Sequence, residues 1–572
     1  MYQRRKKLFI KVNIVFLRVF IILGMKRAVL ISLLFFAVLG ATAQEKAVKN
    51  VILMIPDGTS TSLLSAARWY QTYTDPSRQT LFLDPYIRGL VRTSSSDAPI
   101  GDSAPTTSCY VTGQPSQTAF ISTYPVATGH DLVPVDATRA YQPLATLLEA
   151  AKILQGKSTG LVFTCEFPHA TPADCSAHTY NRGRYSMIAP QMAHNHIDVV
   201  MGGGVKYLTE KLQADLKAEG CRVFLDDIDG FRNCGTTPVW ALFGETSMPY
   251  TLESDPAKMP SLAEMTVKAL DLLSKNENGF FLMVEGSKVD WAAHDNDAKN
   301  AILEFLEFDK AFGEALKFAE KDGNTAIVVL PDHGTGAVTV GNAKSNHGYD
   351  RLSLEEIMSP IDNYKISTWT MSEKMKDVDT SEWPRLFETY FGFVPQQSEI
   401  SYLATARDYN KSYIPKEERK SNISLTKMLS QVVYGRTYFG FTTFGHTIEN
   451  VFLAMYHPGD DVLSGCPTNI DVHSYLCRQM GLTGKLSGLT EEIFAPHQEV
   501  FKGFETTTDS LGVDNYRLTV RYKKNTLVAD SYSNYVTVNK KRINLESVIV
   551  YMDKKKTFYL PKKLREYIEV GK

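Results

Sequence analysis

The chain has 572 residues, of which 44% are hydrophobic and 22% charged, and its formal net charge at pH 7 is −1. This composition is ordinary for a globular protein, and the near-zero charge gives no electrostatic basis for binding nucleic acid or an anionic membrane. The length allows several average domains or one large α/β domain with insertions.

The first 43 residues have the pattern of an export signal. A basic region at residues 25–27 (MKR) is followed by an apolar stretch over 28–40 and by the small residues Ala41-Thr42-Ala43. This pattern predicts a signal peptide cleaved before Gln44, so that the mature protein is periplasmic or secreted and has no transmembrane anchor. Residues 1–24 are also basic and apolar. They favour Met25 as the true start, and a membrane anchor is the alternative.

Seven cysteines, an odd number, accompany this signal, and export would permit disulfides. Two pairs have spacings that allow short disulfide loops, namely Cys221 with Cys234 and Cys466 with Cys477. The other three are predicted to be small buried residues: Cys109, Cys165 and Cys175. Spacing alone does not determine the connectivity.

Short apolar runs alternate with helical patterns from residue 50 to about 340. The runs predict strands over 50–57, 158–166, 279–286 and 325–333, and a further strand over 450–457. Helical patterns lie between them, as at 143–154 and 261–274. Runs this apolar suit a parallel sheet covered on both faces. We therefore predict an α/β fold with a doubly wound, mostly parallel sheet sandwiched by helices.

Two segments depart from this alternation. Residues 341–440 are rich in charged and aromatic side chains, and we interpret them as a long insertion. Residues 501–572 contain alternating, Lys-rich patches, which predict a small β-rich extension. The main domain then covers 44–340 and 441–500.

Oxygen and imidazole groups stand at or just after the predicted strand ends, where ligands bind in open parallel sheets. They are Asp57, His169, Thr171, Glu285, Asp332 and His333. The helical pattern after Glu285 also places Asp290 and His294 on one face. Taken singly, each is better explained as an exposed carboxylate or a hydrogen-bonded core histidine. Carboxylates buried together repel, so their convergence predicts a multi-metal site, with His and carboxylate ligands suiting Zn²⁺ and oxygen ligands suiting Mg²⁺.

A hydroxyl-rich segment, residues 100–113 (IGDSAPTTSCYVTG), supplies candidate nucleophiles. Pro105 is favoured in the first turn of a helix, which puts Asp102 and Ser103 at a helix N-terminus. Such a terminus favours a bound anion. The hydroxyls that could attack this anion belong to Ser103, Thr106 and Thr107.

Together these segments resemble the alkaline phosphatase family. The resemblance runs from about Val51 to Phe494, outside the insertion, and rests on 57-DG, 102-DSAPT, 170-ATPADCSAHTYNR, 285-EGSKVDWAAH, 332-DH and 446-H. The combination is specific, whereas DSA alone would be weak. It implies an enzyme that hydrolyses phosphate monoesters through a phosphoseryl intermediate on Ser103, which water then hydrolyses to release inorganic phosphate. A homodimer is the family habit.

The resemblance also implies the ligands of two zinc ions and one magnesium ion. Those of the first zinc are Asp290, His294 and His446. Those of the second zinc are Asp57, Asp332, His333 and the Ser103 oxygen, and those of magnesium are Asp57, Thr171 and Glu285. Arg182 matches the phosphate-binding arginine, with Asp102 expected to pair with it. All these residues precede position 447, so we expect the chemistry to survive deletion of 505–572.

The chain departs from the family pattern at four positions. His169 and Trp291 stand where some members carry Asp and Lys and others His or Trp, and both are expected to line the substrate pocket. Thr335 replaces a His near the first zinc, which predicts a looser zinc site. Ser108 replaces a Thr, a minor change. The alternatives are structural roles for His169 and Trp291, and for Arg182 a surface position on a helix over 173–182.

Three other functions share part of the pattern. A sulfatase would begin its signature as Ser103-Ala104-Pro105 does, but Thr107 stands where its arginine is required. Its single calcium would also leave two histidines unexplained, namely His294 and His446. Phosphodiesterase-like relatives lack the segment around Arg182. A non-catalytic phosphate-binding protein would not need the complete nucleophile and ligand set.

Overall fold

The computed structural model describes residues 47–411 and 424–571. The predicted signal peptide, its cleavage before Gln44 and the choice between Met1 and Met25 as the start lie outside these residues. Within the described ranges, no helix is both long enough and apolar enough to cross a membrane.

A nine-stranded sheet forms the middle layer of the main domain. In spatial order its strands are Ile87–Val91, Val451–Tyr456, Thr325–Val329, Asn50–Ile55, Phe280–Glu285, Ser158–Glu166, Val199–Gly203, Val239–Phe243 and Arg222–Leu225. All neighbours are parallel except at Val451–Tyr456, which runs antiparallel to both of its neighbours. The five predicted strands are all present in this sheet, and the predicted mostly parallel topology is confirmed.

Successive residues of each strand point to opposite helical layers. In the strand Asn50–Ile55, Ile52 and Met54 belong to one hydrophobic core, and Val51 and Leu53 belong to the other. The first core is covered by helices Thr61–Thr74, Ile228–Asn233, Leu262–Leu273, Lys288–His294 and Ala298–Asp322. The second is covered by helices Ser103–Thr112, Leu147–Gln155, Ala170–Asp174, Tyr185–His194, Glu210–Ala218, Asn469–Met480 and Leu486–Ile493. Because helices cover both faces of the sheet, both sets of side chains on each strand are buried, and the strand sequences are continuous apolar runs.

Residues 341–440 are mainly helical and pack on the first core. Their helices are Leu354–Asp362, Thr368–Lys376, Trp383–Phe391, Gln397–Lys411 and Leu425–Tyr434. Trp383 and Leu429 are fully buried in that core. The two ends of the segment meet, because the short strands Thr339–Val340 and Phe439–Gly440 pair with each other.

The C-terminal module, residues 501–571, is built on antiparallel sheets, which confirms the predicted β-rich extension. Its five-stranded sheet contains Glu505–Gly512, Asn515–Tyr522, Asn525–Asp530, Tyr535–Val538 and Lys541–Asn544. A second sheet joins Val550–Met552 and Thr557–Leu560 to the earlier pair Ala495–Pro496, and short helices His497–Val500 and Leu564–Val570 complete the region. The module has its own core, yet Val550 and Met552 belong to the second core of the main domain.

All seven cysteines lie within the described residues and are unpaired. The disulfides that spacing suggested are therefore not formed. Cys466 is exposed, whereas the Cys477 Sγ lies 3.1 Å from the His473 Nε2 inside the fold. Cys221 and Cys234 are buried, and each thiol donates to a nearby backbone carbonyl at 3.4 Å. The three cysteines predicted to be buried are buried.

Candidate functional site

The predicted ligands converge at the carboxyl end of the central sheet. Asp57 follows the strand Asn50–Ile55, and Glu285 ends the adjacent strand in register with Ile55. Asp332 and His333 follow the strand on the other side. These four side chains are fully buried. Adjacency in the sheet thus brings together groups that lie far apart in the sequence.

Asp290, His294 and His446 form one compact group whose ligand atoms lie within 4.8 Å of one another. The His294 Nε2 is 3.4 Å from an Asp290 carboxylate oxygen and 3.0 Å from the His446 Nε2. The Nδ1 atoms of the two rings contact the backbone carbonyls of Phe444 at 2.7 Å and Gly101 at 2.9 Å. Each Nδ1–H can therefore donate to its carbonyl, and the two Nε2 atoms face each other. A cation between them fits this arrangement.

Asp57, Asp332 and His333 form a second such group. The His333 Nε2 lies 3.5 Å from Asp57, 3.3 Å from Asp332 and 3.3 Å from the Ser103 Oγ. Among the described residues, neither Asp57 oxygen has a hydrogen-bond partner, nor does one Asp332 oxygen. Burial, together with the charges of neighbouring carboxylates, raises the pKa of Asp57 well above its usual value. Buried carboxylates without partners are costly, and a bound cation would offset that cost.

Further buried oxygen atoms lie on residues expected to bind magnesium. The Thr171 Oγ1 and one Glu285 oxygen are buried without a hydrogen-bond partner in the described part of the chain. Burial raises the pKa of Glu285 to about 8. The Cys165 Sγ lies 3.5 Å from the other Glu285 oxygen, and these two residues with His169 could also hold an ion. Sequence reasoning missed Cys165, because a cysteine within an apolar strand reads as a core residue.

Ser103 opens the helix Ser103–Thr112 and is nearly fully buried. Of the three candidate hydroxyls, only that of Ser103 lies within hydrogen-bond distance of a predicted metal ligand among the described residues. Its Oγ is 3.3 Å from the His333 Nε2. The hydroxyls of Thr106 and Thr107 are also buried, with no hydrogen-bond partner among the described residues. These two threonines therefore pack inside the fold and do not cap the helix.

Arg182 lies in a loop beyond the short helix Ala170–Asp174, and not on a helix over 173–182. Its guanidinium donates to the Asp102 carboxylate, as expected, and to the His169 Nε2 at 3.0 Å. Its backbone N–H donates to the Ala119 carbonyl at 2.8 Å. Two guanidinium contacts and one backbone contact hold Arg182 beside Ser103's helix, so the alternative of a surface arginine on a helix over 173–182 does not describe it.

The His169 and Trp291 rings pack edge to face with centroids 5.9 Å apart, and His169 also contacts Arg182. Burial, and then the Arg182 charge, lowers the pKa of His169 to about 3, so the ring is neutral at pH 7. Trp291 is half-buried between the predicted ligands Asp290 and His294. The two rings form a wall beside the arginine.

Thr335 links the two histidine-containing groups. Its hydroxyl donates to Asp290 at 2.6 Å and lies 3.2 Å from the His333 Nδ1. The hydroxyl oxygen can therefore accept a hydrogen bond from the His333 Nδ1–H, which leaves the His333 Nε2 free to bind an ion. Gly58 makes room for this contact, since a Cβ at its φ of +64° would lie 2.4 Å from an Asp290 oxygen.

A sequence profile of alkaline phosphatase matches residues 48–482. The chain belongs to the alkaline phosphatase family. It is 32% identical to alkaline phosphatase 4 of Bacillus subtilis (strain 168) over 447 residues, covering 75% of this chain and 88% of that one. It is 31% identical to alkaline phosphatase 3 of the same organism over 454 residues, covering 76% and 90%.

Solved structures agree with this membership. A cold-active alkaline phosphatase from the psychrophile Shewanella sp. superposes with a TM-score of 0.63 at 27% identity, covering 76% of this chain and 100% of that one. The Thermus thermophilus alkaline phosphatase has the same fold, with a TM-score of 0.66 at 22% identity, covering 77% and 92%. The chain is thus a phosphomonoester hydrolase. Its C-terminal module lies beyond the matched profile.

Proposed function

We propose that the chain is exported and hydrolyses phosphate monoesters through a phosphoserine on Ser103, at a site that holds two zinc ions and one magnesium ion. One observation carries the proposal. The Ser103 Oγ, at the N-terminus of a buried helix, lies 3.3 Å from the His333 Nε2, and Arg182 is fixed beside that helix by Asp102. A nucleophile, metal ligands and an anion-binding arginine are thereby adjacent.

The donor sets suit these ions. Histidine and carboxylate donors suit zinc, and they are supplied by Asp290, His294 and His446 for one ion, and by Asp57, Asp332, His333 and Ser103 for the other. Oxygen donors suit magnesium and come from Asp57, Thr171 and Glu285. When bound, the ions would neutralise the buried carboxylates, lower the pKa of the Ser103 hydroxyl and stabilise charge on the phosphate oxygens.

In the proposed reaction, each of the remaining site residues has its own role. The Ser103 oxygen attacks phosphorus, the ester P–O bond breaks, and the alcohol leaves. The N–H groups at the start of the Ser103 helix, together with Arg182, bind the non-bridging oxygens as charge develops. Water then attacks the phosphoserine, which releases inorganic phosphate and restores Ser103. Asp102 orients Arg182, and His169 and Trp291 line the pocket.

The same proposal includes the organisation of the chain. Residues 44–340 and 441–500 would form the catalytic domain, 341–440 an insertion, and 501–572 an extension. The pairing of Thr339–Val340 with Phe439–Gly440 supports the insertion, because it brings the segment's ends together. N-terminal sequencing of exported protein should begin at Gln44. A start before Met25, or an uncleaved membrane-bound form, would contradict the export signal. Sedimentation of the purified enzyme would test the homodimer.

The proposal is tested by metal analysis combined with turnover of an aryl phosphate. The purified enzyme should contain zinc and magnesium, lose activity in a chelator and regain it when both ions return. Labelled phosphate trapped at low pH should be found on Ser103 by mass spectrometry. Full activity after complete removal of the ions would contradict the metal assignment, and label on another residue would contradict the nucleophile.

A further inference from the structure

The C-terminal module contacts the loop that carries Arg182. Arg184, two residues further along, donates to Asp514 and, at 2.9 Å, to Asp553, both of which belong to the module. The Ser186 hydroxyl also donates to Asp514. The Arg184 and Asp514 side chains keep only 21% and 13% of their exposure. This ion pair is therefore more shielded from water and salt than an ordinary surface pair.

The loop is also held at its other end. The Tyr180 hydroxyl donates to the same Asp553 oxygen at 3.0 Å and accepts from Arg184. The Tyr180 ring packs edge-on against Phe120 and Tyr141, with centroids 6.4 and 5.7 Å away. Arg182 thus sits between two residues, 180 and 184, that are both bound to Asp553.

Asp514 reaches Arg184 because it lies at the tip of a hairpin formed by Glu505–Gly512 and Asn515–Tyr522. Every residue of Glu505–Gly512 is exposed, so this edge strand adds no buried residue to the module's core. Asp514 has a φ of +55°, a conformation that Asp and Asn adopt more readily than other residues with side chains. The hairpin therefore places the Asp514 carboxylate beside the loop. Its outer strand pairs with Asn515–Tyr522 but adds no buried side chain to the module's core.

We propose that the C-terminal module is a positioning element for Arg182. Asp514 and Asp553 hold Arg184, and through it the loop 180–186, so that the Arg182 guanidinium stays paired with Asp102 beside Ser103. This inference rests on the proposed phosphate-binding role of Arg182. Because it predicts weaker phosphate binding with a smaller change in kcat, it is compatible with the sequence-based expectation that the chemistry survives deletion of 505–572. The positioning comes from a part of the chain outside the matched family profile, which ends at residue 482.

The test uses full-length, metal-loaded enzyme carrying Asp514→Asn, Asp553→Asn or both. Asn removes the charge, keeps the size and tolerates the positive φ at 514. Because small displacements of a positioned group are costly, the double variant should raise both the KM for an aryl phosphate and the inhibition constant of inorganic phosphate by roughly 3- to 10-fold, with a smaller change in kcat. Glu505→Gln, at the opposite end of the hairpin and paired with the exposed Arg521, is the matched control and should change neither constant.

A double-mutant cycle with Arg182→Ala separates positioning from general support of the fold. If the carboxylates act through Arg182, removing them in the Arg182→Ala background should have no further effect on either constant. Equal losses in both backgrounds would overturn the inference, as would an unchanged inhibition constant in the folded double variant. If the double variant does not fold, Asp514→Asn alone tests the inference. It should raise the KM and the inhibition constant about 2- to 3-fold. Absence of turnover in the wild type would contradict the proposed function, and calorimetric binding of inorganic phosphate would still test the module's role.

Discussion

The metal-ligand side of the site and its phosphate side are built in different ways. On the metal side, Asp57, Glu285 and Asp332 stand at the ends of adjacent buried strands, so the sheet itself sets their positions. On the phosphate side, Arg182 lies in a loop and is placed by side-chain contacts to Asp102 and His169. The sheet therefore determines where the proposed metal ligands lie, whereas side-chain pairs determine where Arg182 lies.

This difference predicts different consequences of substitution. Changes on the metal side should alter the amount or affinity of bound metal, because a bound cation would offset the charge of the carboxylates buried there. Changes on the phosphate side should alter the affinity for phosphate while the metal content stays constant. The following experiments compare the two sides, beginning with the residue where they meet.

Ser103 belongs to both sides, and its loss should have the largest effect. Ser103→Ala removes the proposed nucleophilic oxygen, so we expect kcat to fall by several orders of magnitude and the phosphoenzyme to disappear. Stopped-flow turnover and acid trapping of labelled phosphate measure the two effects. Metal content should change little, because three protein ligands of that ion remain. A variant that still forms a phosphoenzyme would show that another residue is the nucleophile.

Arg182→Ala should have the next largest effect, and the size of this effect should depend on the substrate. A phosphomonoester offers a dianion whose free oxygens a planar guanidinium binds in parallel, whereas a diester has esterified one of them. A charge-assisted contact of this kind is worth on the order of 2–4 kcal/mol, or roughly 30- to 1000-fold in rate. We expect at least about a tenfold loss of kcat/KM for an aryl phosphate and little change for the matching methyl aryl diester.

Two results would qualify the role of Arg182. Equal losses on monoester and diester would mean that it supports the site without selecting the substrate. A fall in zinc content would mean that the two sides are coupled through the His169 and Asp102 contacts. Arg521→Ala, an exposed arginine of the C-terminal module, is the control and should leave both substrates unaffected.

The sheet-determined half of the site could be predicted from sequence, and the loop-determined half only in part. Apolar runs ending near Asp57, Glu285 and Asp332 predict parallel strands, whose carboxyl ends lie at the same edge of the sheet. That these strands are direct neighbours is seen only in the structure. The partners of Arg184 could not be predicted, because Asp514 and Asp553 lie more than 300 residues away in a module beyond the matched family profile. Long-range side-chain pairs leave no periodic signal in a single sequence.

The helical packing of residues 341–440 and the free cysteines show the same limit. Charged and aromatic composition indicated an insertion, but not that Trp383 would be buried in the first core. Cysteine spacing suggested a pair between positions 466 and 477, yet the second thiol faces His473 inside the fold. Spacing records distance along the chain and not the direction of a side chain.

Thr335→Val should have a moderate effect confined to the metal side. The substitution keeps the shape but removes the hydroxyl that links Asp290 to the His333 Nδ1. Losing such an outer contact typically lowers metal affinity about 10- to 100-fold. Competition with a chelator should show this weakening, and excess zinc should restore kcat. Thr339→Val, at an exposed position, is the control. Unchanged zinc affinity would mean that the ligands are held by the fold alone.

The smallest effects are expected at Thr106 and Thr107, which share the helix of Ser103. Their hydroxyls are buried without a hydrogen-bond partner among the residues that the structure describes. Val at either position keeps the shape and removes a desolvated polar atom, so the free energy of unfolding should change by less than about 1 kcal/mol. Ala should cost about that much through lost packing, and turnover should stay within about tenfold for every variant.

Ser108→Ala provides the contrast on the same helix. Its hydroxyl donates to the buried Asp174 at 2.5 Å and accepts from the Ser122 N–H at 2.8 Å. Removing it leaves both groups with one contact fewer, which should cost about 1–3 kcal/mol of stability while kcat changes little. Thermal or denaturant unfolding beside turnover measures the difference. A hydroxyl in this helix can thus matter for stability or for chemistry, and the partner of each oxygen decides which. Labelled phosphate trapped on Thr106 or Thr107 would contradict that rule, because an oxygen without a contact in the site would then be the nucleophile.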